Sequence, residues 1–208
     1  MKLAFALLIW IQTFALGADV PLDSESFERL VYNNSPVGSD VLPRHEDPTA
    51  LPRWKEKLSQ IADVNERLLE LVNRDYFVLK NPETLGLSLF ALSTRENLSP
   101  DQLERLTALL DGMKAPNREW TALEKQFICG ALPVLRYYPS PRHEALAIRF
   151  VEDTDVTITM NALCALGGIG TRNSLASVQN AVKLSKSGIM ISTDRTMKNF
   201  VRAADQVE

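Results

Sequence analysis

The sequence predicts an all-α protein, and three observations support this prediction. Apolar residues recur at the three- and four-residue intervals of amphipathic helices from residue 51 onward. Asn, Ser and Asp, several of them followed by proline, mark repeated helix starts. Three of these starts, at Asn81, Asn117 and Asp153, are 36 residues apart, with two predicted helices in each interval. Because such a period is typical of helical solenoids, we expect a short right-handed α-solenoid of stacked antiparallel helix pairs.

The N-terminus has the layout of a secretory signal peptide. Lys2 supplies a positive charge, residues 3–11 are continuously apolar, and small residues follow, among them Gly17. We expect cleavage after Gly17, and therefore a secreted or periplasmic protein. An uncleaved membrane anchor is the alternative, but the apolar stretch to Leu16 is shorter than the ~20 residues of a spanning helix. No later segment is long enough, so we expect no stable transmembrane segment after cleavage.

The mature chain would carry a mildly acidic charge. Removal of residues 1–17 takes away Lys2 and no acidic residue, which leaves 22 basic and 26 acidic side chains and a net charge of −4. These charges are spread without blocks of one sign, as on an ordinary soluble surface. The sequence has no basic face, and this argues against a nucleic-acid partner.

Residues 18–53 are predicted to form a proline-rich N-terminal arm. Within it only residues 24–34 have a helical pattern, with a serine cap and with Phe27, Leu30 and Val31 on one face.

The helical repeat domain is expected to cover residues 54–208, beginning with one amphipathic helix over 51–74 that Asn65 interrupts. A coiled coil would need three or four heptads, which this segment does not have, so a core-facing helix is the better interpretation.

Cap residues predict the later helix starts. Pro133 is expected to interrupt the helix that follows Asn117. A final helix, 194–207, would cap the stack, with an apolar face made by Phe200, Ala203, Ala204 and Val207 and a charged face made by Arg195, Lys198 and Arg202. The predicted openings are Asn81–Pro82, Ser99–Pro100, Asn117, Ser140–Pro141, Asp153–Asp155, Thr171 and Thr193.

The stretch "DTDVTITMNALCALGGIGTRNSLASVQNAVKL" (153–184) resembles a PBS-lyase HEAT-like repeat. The match is carried by the acidic cap, by Val156, by the run "ALCALGGIG" and by the second-helix sequence "SLASVQNAV". The resemblance is looser over 117–152, loosest over 81–112, and does not cover 18–80. It implies a stack of antiparallel helix pairs whose usual role is the binding of other macromolecules.

The glycines of this stretch admit two interpretations, a phosphate-binding loop or a turn between helices. A phosphate loop needs Gly-x-x-x-x-Gly-Lys-Ser/Thr, or Gly-x-Gly-x-x-Gly after a strand. Here Gly168-Ile169-Gly170 has no third glycine at that spacing, and the preceding segment has a helical pattern. We therefore expect a turn, with Gly167 and Gly168 ending the helix in a backbone conformation of positive φ.

No residue is predicted to be catalytic, to bind a cofactor or to hold a metal. His45, Glu46 and Asp47 lie in the proline-rich arm, where adjacent side chains point apart. His143 has neither a nucleophile nor an orienting partner in any recognisable pattern. Two histidines and two cysteines, scattered over the chain, are too few for a structural zinc site.

The two cysteines, Cys129 and Cys164, both fall within apolar helical patterns. A disulfide is an option in an oxidising compartment. Two buried free thiols are the preferred interpretation.

These patterns lead to a hypothesis of function: an exported, non-catalytic HEAT-like repeat protein that binds or scaffolds another protein. Exposed Arg105, Arg149 and Lys183 on second helices would line its concave side. By resemblance alone, an alternative is a small-ligand or tetrapyrrole-binding protein related to phycobilin lyases. A third option is a subunit of a larger envelope assembly that docks through the helix at 51–74.

Overall fold

The computed structural model describes residues 22–33, 35, 49–113 and 119–185. Every regular element in these ranges is a helix and none is a strand, which confirms the all-α prediction. The predicted signal peptide 1–17 and the predicted capping helix 194–207 lie outside the described residues. The chain divides into two compact units, Met1–Val64 and Asn65–Glu208.

The first described helix of the first unit is short and changes its winding. Helix α1, Ser24–Glu28, continues as a π-helical turn, Arg29–Asn33. Its N-cap is Asp23 and not the predicted serine, because the Asp23 carboxylate accepts a hydrogen bond from the Ser26 backbone N–H at 2.8 Å.

A small core lies between this segment and Trp54. Phe27 and Val31 are buried, as the sequence predicted, and Leu30 is half-buried. The indole N–H of Trp54 donates to the Leu30 carbonyl at 3.0 Å. This hydrogen bond links the first helix to the helix that contains Trp54, and it gives the buried indole N–H an acceptor.

The prediction of one helix over 51–74 is wrong, because two helices occupy this range. Helix α2 spans Ala50–Ser59 and helix α3 spans Val64–Asn73. Between them Asp63 has a φ of 51°, a left-handed conformation that Asp tolerates better than most residues but that a continuous helix excludes. The apolar stripe continues across the break, which explains why periodicity alone did not reveal it.

The second unit continues with α3 and then places helices in close succession. Helix α3 passes directly into a π-helical segment, Arg74–Leu79. The helices that follow are α4 (Pro82–Ser93), α5 (Pro100–Gly112), α6 (Ala122–Leu135), α7 (Pro141–Val151), α8 (Val156–Ile169) and, after a 3₁₀ turn (Arg172–Ser174), α9 (Leu175–Ser185).

Most of the predicted caps are confirmed by their hydrogen bonds. The side chains of Asn81, Ser99 and Ser140 accept bonds from the first turns of α4, α5 and α7, each with proline at the start of its helix. Thr171 caps the 3₁₀ turn in the same way. Ser99 also forms a full capping box with Gln102, which satisfies two backbone donors at once.

One predicted cap, Asn117, is wrong, and the predicted opening Asp153–Asp155 is confirmed at Asp155 alone. Helix α6 opens at Thr121, which forms a capping box with Glu124, and not at Asn117. Helix α8 is capped by Asp155, while Asp153 is buried and accepts from the Trp120 indole at 2.9 Å. The caps of α4, α6 and α8 are therefore 40 and 34 residues apart, and the even 36-residue spacing does not hold.

Pro133 lies inside α6 and does not end it, contrary to the prediction. The helix continues to Leu135, and the residues around the proline are fully buried, so packing maintains the helix across the missing N–H.

The core of the second unit forms where α4, α6 and α8 pack in series and α7 packs on α8. Leu110 of α5 and Leu146 of α7, which are 36 residues apart in the sequence, are both buried. The largest fully buried side chains of this unit are Phe127, Phe150, Leu68, Leu69, Leu85, Leu89, Leu92, Leu106, Leu110 and Ile128.

Glycines allow α4 and α6 to approach closely. A Cβ at Gly130 would lie 2.6 Å from the Leu89 side chain, and one at Gly86 would meet Gln126. These contacts follow the same order along both helices, so α4 and α6 run in the same direction.

Gly167 and Gly168 do not form the predicted turn. Helix α8 runs through both glycines to Ile169, and no described glycine has a positive φ. A Cβ at Gly168 would lie 2.4 Å from the carbonyl oxygen of Arg136, the residue that ends α6. The glycine is therefore needed for close helix packing and not for backbone freedom.

Candidate functional site

The most unusual surface of the described chain is an exposed apolar segment, Phe77–Val78–Leu79, at the end of the π-helical turn. These side chains are 54%, 72% and 52% exposed. The other exposed large hydrophobic residues in the described ranges occur singly. Single exposed apolar residues are normal, whereas a contiguous group indicates a contact surface.

The apolar segment is held by the residues just before it. Asp75 is fully buried, and its Oδ2 accepts a hydrogen bond from Ser88 Oγ of α4 at 3.1 Å. The Tyr76 ring packs against Phe127 of α6, with ring centroids 5.1 Å apart, and meets Phe77 edge-on at 4.9 Å. Two helices therefore fix the base of the segment.

A sharp turn closes the segment on its other side. Lys80 is in the left-handed region with φ 49° and ψ 40°, and its N–H and that of Asn81 both reach the Asp75 carbonyl. Asn81 then caps α4. The apolar side chains thus project from a closed loop with satisfied backbone donors, a geometry typical of a preformed contact surface.

Charged side chains connect the helices α3, α5 and α7. Glu66 of α3 pairs with Arg105 of α5, and Glu104 of α5 pairs with Arg142 of α7. The hydrogen bond from Arg105 holds the pKa of Glu66 below its ordinary value. Because these pairs are exposed, we expect each to add little stability; their value is in setting the register of neighbouring helices.

The same row continues at the other end of α5. Asp111 accepts a hydrogen bond from Arg142 at 2.8 Å, and Arg149 donates to the Leu110 carbonyl at 2.5 Å. Of the predicted concave-side cations, Arg105 and Arg149 are therefore engaged in contacts between helices. The side chain of Lys183 lies outside the described residues.

A second polar cluster joins α6 to the start of α8. Lys125 and Asp155 form an ion pair at 2.7 Å, which raises the pKa of Lys125. The Cys129 thiol lies nearby, and burial, together with the negative charge of Asp155, raises its pKa to about 12. A thiol protonated to this extent is a poor nucleophile.

Both cysteines are free, as preferred in the sequence interpretation, but their burial differs from it. Cys129 is half-buried and Cys164 is exposed. Cys164 was predicted to be buried because it lies in an apolar helical pattern, but it falls on the exposed face of α8.

The histidine in the second unit has a structural position. His143 is buried, and its Nδ1 lies 2.5 Å from the Tyr138 carbonyl oxygen. Glu144, the next residue, is also buried. Its Oε1 accepts two hydrogen bonds from Thr171, one from the backbone N–H at 2.7 Å and one from the hydroxyl at 2.9 Å. His45, Glu46 and Asp47 lie outside the described residues.

In the part of the chain that the structure describes, no group of three His, Cys, Asp or Glu residues is arranged to hold a metal ion. Among the helices described, none has the length and apolar character needed to cross a membrane.

The sequence interpretation missed Phe77–Leu79. A signal was present, because "YFVL" (76–79) continues the apolar content of α3 without its helical period and stands directly before the Asn81 cap. Comparisons of the chain with protein-family models, with curated proteins and with solved structures found no match.

Proposed function

We propose that this chain is an exported, non-catalytic binding module that holds another protein through the apolar segment Phe77–Leu79. The observation that carries the proposal is the exposure of three consecutive large apolar side chains on a backbone fixed by Asp75 and Tyr76. A surface of this kind supplies apolar contacts at a low cost in conformational entropy.

The architecture we propose for this module is a short right-handed α-solenoid of the HEAT-like type, built of antiparallel helix pairs. Two observations support it. Helices α4, α6 and α8 pack in series, with Gly86 beside Gln126 and Gly168 beside Arg136. In addition, the ion pairs Glu66–Arg105 and Glu104–Arg142 link α3, α5 and α7 at nearly equal sequence separations of 39 and 38 residues. Serial packing of like helices is the arrangement of repeat proteins.

Site-specific cross-linking tests the binding surface. A photo-reactive phenylalanine analogue replaces Phe77 in one variant and Leu51, an exposed apolar residue of the first unit, in a matched control. We expect illumination in the native envelope fraction to give a discrete adduct with another protein at position 77 and none at position 51.

A charged substitution in the same apolar segment is the second test of the binding surface. Val78→Asp places a carboxylate at the most exposed apolar position and should abolish the adduct, while the circular dichroism spectrum stays helical. An adduct of equal yield at both positions, or one that contains only this chain, would contradict the proposal.

A further inference from the structure

Lys80 has an unusual backbone conformation for its residue type. In the described part of the chain, two residues other than glycine have a positive φ, Asp63 at 51° and Lys80 at 49°. The left-handed region is costly for L-residues, but the short polar side chain of Asp lowers this cost by hydrogen-bonding locally. Lysine has no such compensation, and glycine or asparagine is the usual residue where a helix ends in this conformation. The backbone therefore does not explain why a lysine occupies this position.

The end of the π-helical segment gives only part of an explanation. A cation near the C-terminus of a helix interacts favourably with the last carbonyl groups, but this gain is smaller than the cost of the left-handed conformation. The carbonyl of Asp75 is already satisfied by the backbone N–H groups of Lys80 and Asn81. Residues that the surrounding structure holds in a strained conformation occur frequently at binding sites.

The Lys80 side chain adds a positive charge at the edge of the apolar segment Phe77–Leu79. Lys80 directly follows the segment and is exposed. Within the described residues its ammonium forms no ion pair, whereas Arg74, the other cation of this turn, pairs with the buried Asp75. Glu83 lies in the first turn of α4, where the helix N-terminus stabilises its negative charge. The Lys80 ammonium is therefore available to a partner that covers the apolar segment.

We propose that Lys80 determines which protein the apolar segment binds, by pairing with an Asp or Glu carboxylate at the rim of an apolar pocket in that protein. This role of Lys80 rests on the proposed function, because it names the chemistry of the partner of the same surface. Apolar contacts are non-directional, so Phe77–Leu79 alone would accept many apolar surfaces. A charge beside such a contact adds selectivity, since it attracts partners of opposite charge and rejects those of like charge.

The turn keeps this charge close to the apolar segment before a partner binds. The N–H of Lys80 donates to the Asp75 carbonyl, and the Asp75 carboxylate accepts from Ser88 Oγ of α4 at 3.1 Å. Because the backbone is already fixed, the ion pair costs only the ordering of one lysine side chain on this side of the interface.

Zero-length cross-linking in the native envelope fraction tests the ion pair. A water-soluble carbodiimide joins a lysine amine to a carboxylate only where the two groups are in contact. The photo-adduct at position 77 first identifies the bound protein. Mass spectrometry should then show an amide between Lys80 and an Asp or Glu of that same protein. Lys80→Arg keeps the charge but not the amine, so it should abolish the amide and retain the photo-adduct.

Substitution of Lys80 separates the effect of the charge from that of the backbone. Lys80→Gly removes the ammonium and relieves the left-handed strain. We expect an unchanged or higher midpoint in urea, together with a yield of photo-adduct at position 77 that is lower by about fivefold or more. Raising the NaCl concentration from about 0.05 to 0.5 M should lower the wild-type yield as well and leave that of Lys80→Gly unchanged.

Asp63→Gly is the matched control, because it relieves the strain of the other left-handed residue, which lies outside the apolar segment. Its midpoint in urea should be unchanged or higher, and its yield of photo-adduct should equal that of the wild type. If Lys80→Gly is less stable than the wild type, Lys80→Gln decides in the same direction, since it removes the charge and keeps a long side chain.

The outcomes distinguish this inference from the binding surface on which it rests. A photo-adduct of wild-type yield in both Lys80→Gly and Lys80→Gln overturns the role of Lys80 and leaves the binding surface in place. No photo-adduct with protein at position 77, or an adduct with lipid alone, overturns both. A carbodiimide amide that joins Lys80 to a second copy of this chain also overturns both, because it assigns the surface to self-association.

Discussion

At the scale of single residues, local hydrogen-bond chemistry decided which helix starts could be predicted. Asn81, Ser99 and Ser140 are confirmed because each stands before a proline that cannot continue a preceding helix. The prediction that Asn117 caps the next helix is wrong. Thr121, four residues later, caps it instead and forms a capping box with Glu124, which satisfies more backbone donors than a single asparagine side chain would. The sequence therefore identifies the N-cap residue where a single capping residue precedes a proline, and does not identify it where several possible capping residues lie close together.

The two thiols should differ sharply in reactivity. Cys129 has a pKa of about 12, raised first by burial and then by the carboxylate of Asp155, so it stays protonated at pH 8. Cys164 is exposed. We expect one thiol per folded chain to react rapidly with a disulfide reagent at pH 8. Cys164→Ser should remove this fast phase and Cys129→Ser should preserve it; simultaneous reaction of both thiols would contradict the structure.

At the scale of elements, glycines of the second unit allow neighbouring helices to pack closely. The sequence placed Gly167 and Gly168 in a turn, because glycine at a helix end is a common C-cap signal. The structure keeps both inside α8, where Gly168 faces the last carbonyl of α6. A local sequence pattern does not show which helix will pack against a residue. The sequence therefore indicated that a glycine is needed at this position, but not that close helix packing is the reason.

Gly168→Ala should therefore destabilise the protein. The added Cβ would lie 2.4 Å from the Arg136 carbonyl oxygen, so α6 and α8 must move apart, at a cost of about 1–3 kcal/mol in the free energy of unfolding. Urea denaturation followed by circular dichroism measures this change.

Gly112→Ala is the matched control for that substitution. Gly112 is the last residue of α5, and a Cβ there would meet nothing within 4 Å. Its midpoint in urea should be unchanged or slightly raised, because alanine lowers the entropy of the unfolded chain. Equal midpoints for the two alanine variants would refute the close-packing role of Gly168.

At the scale of the whole molecule, carboxylates that are paired between helices make the free energy of unfolding depend on pH at the acid end. The pKa of Asp155 is raised by burial but lowered more by Lys125 and by the backbone N–H groups of α8, and its net value lies below 3.8. The pKa of Glu66 lies below 4.5. The unfolded chain therefore binds more protons than the folded chain as the pH falls through this region.

The free energy of unfolding should be constant near neutral pH and should fall below about pH 4–5, as the unfolded carboxylates begin to bind protons. Asp155→Asn should flatten part of this decline, because the asparagine side chain does not titrate. Urea midpoints between pH 6 and pH 2.5 measure both slopes. A variant Asp155→Asn with the wild-type slope would show that this carboxylate does not contribute.

The sequence predicted the helical class and most helix positions, because these follow from periodicity and caps. It did not predict the break at Asp63, where a left-handed residue interrupts a continuous apolar stripe. It also missed Phe77–Leu79, because exposure of an apolar run depends on Asp75 and Tyr76 being anchored by residues far along the chain. Tertiary contacts of this kind leave no local signature.

The indole of Trp54, bonded to the Leu30 carbonyl, has a spectroscopic consequence. Trp10 lies in the predicted signal peptide, so the mature protein would hold two tryptophans, Trp54 in the first unit and Trp120 in the second. Each unit then contains one tryptophan, whose indole has its own hydrogen-bond partner. Replacing either indole by phenylalanine leaves a single tryptophan, and the tryptophan emission of the two variants reports separately on the melting of the two units.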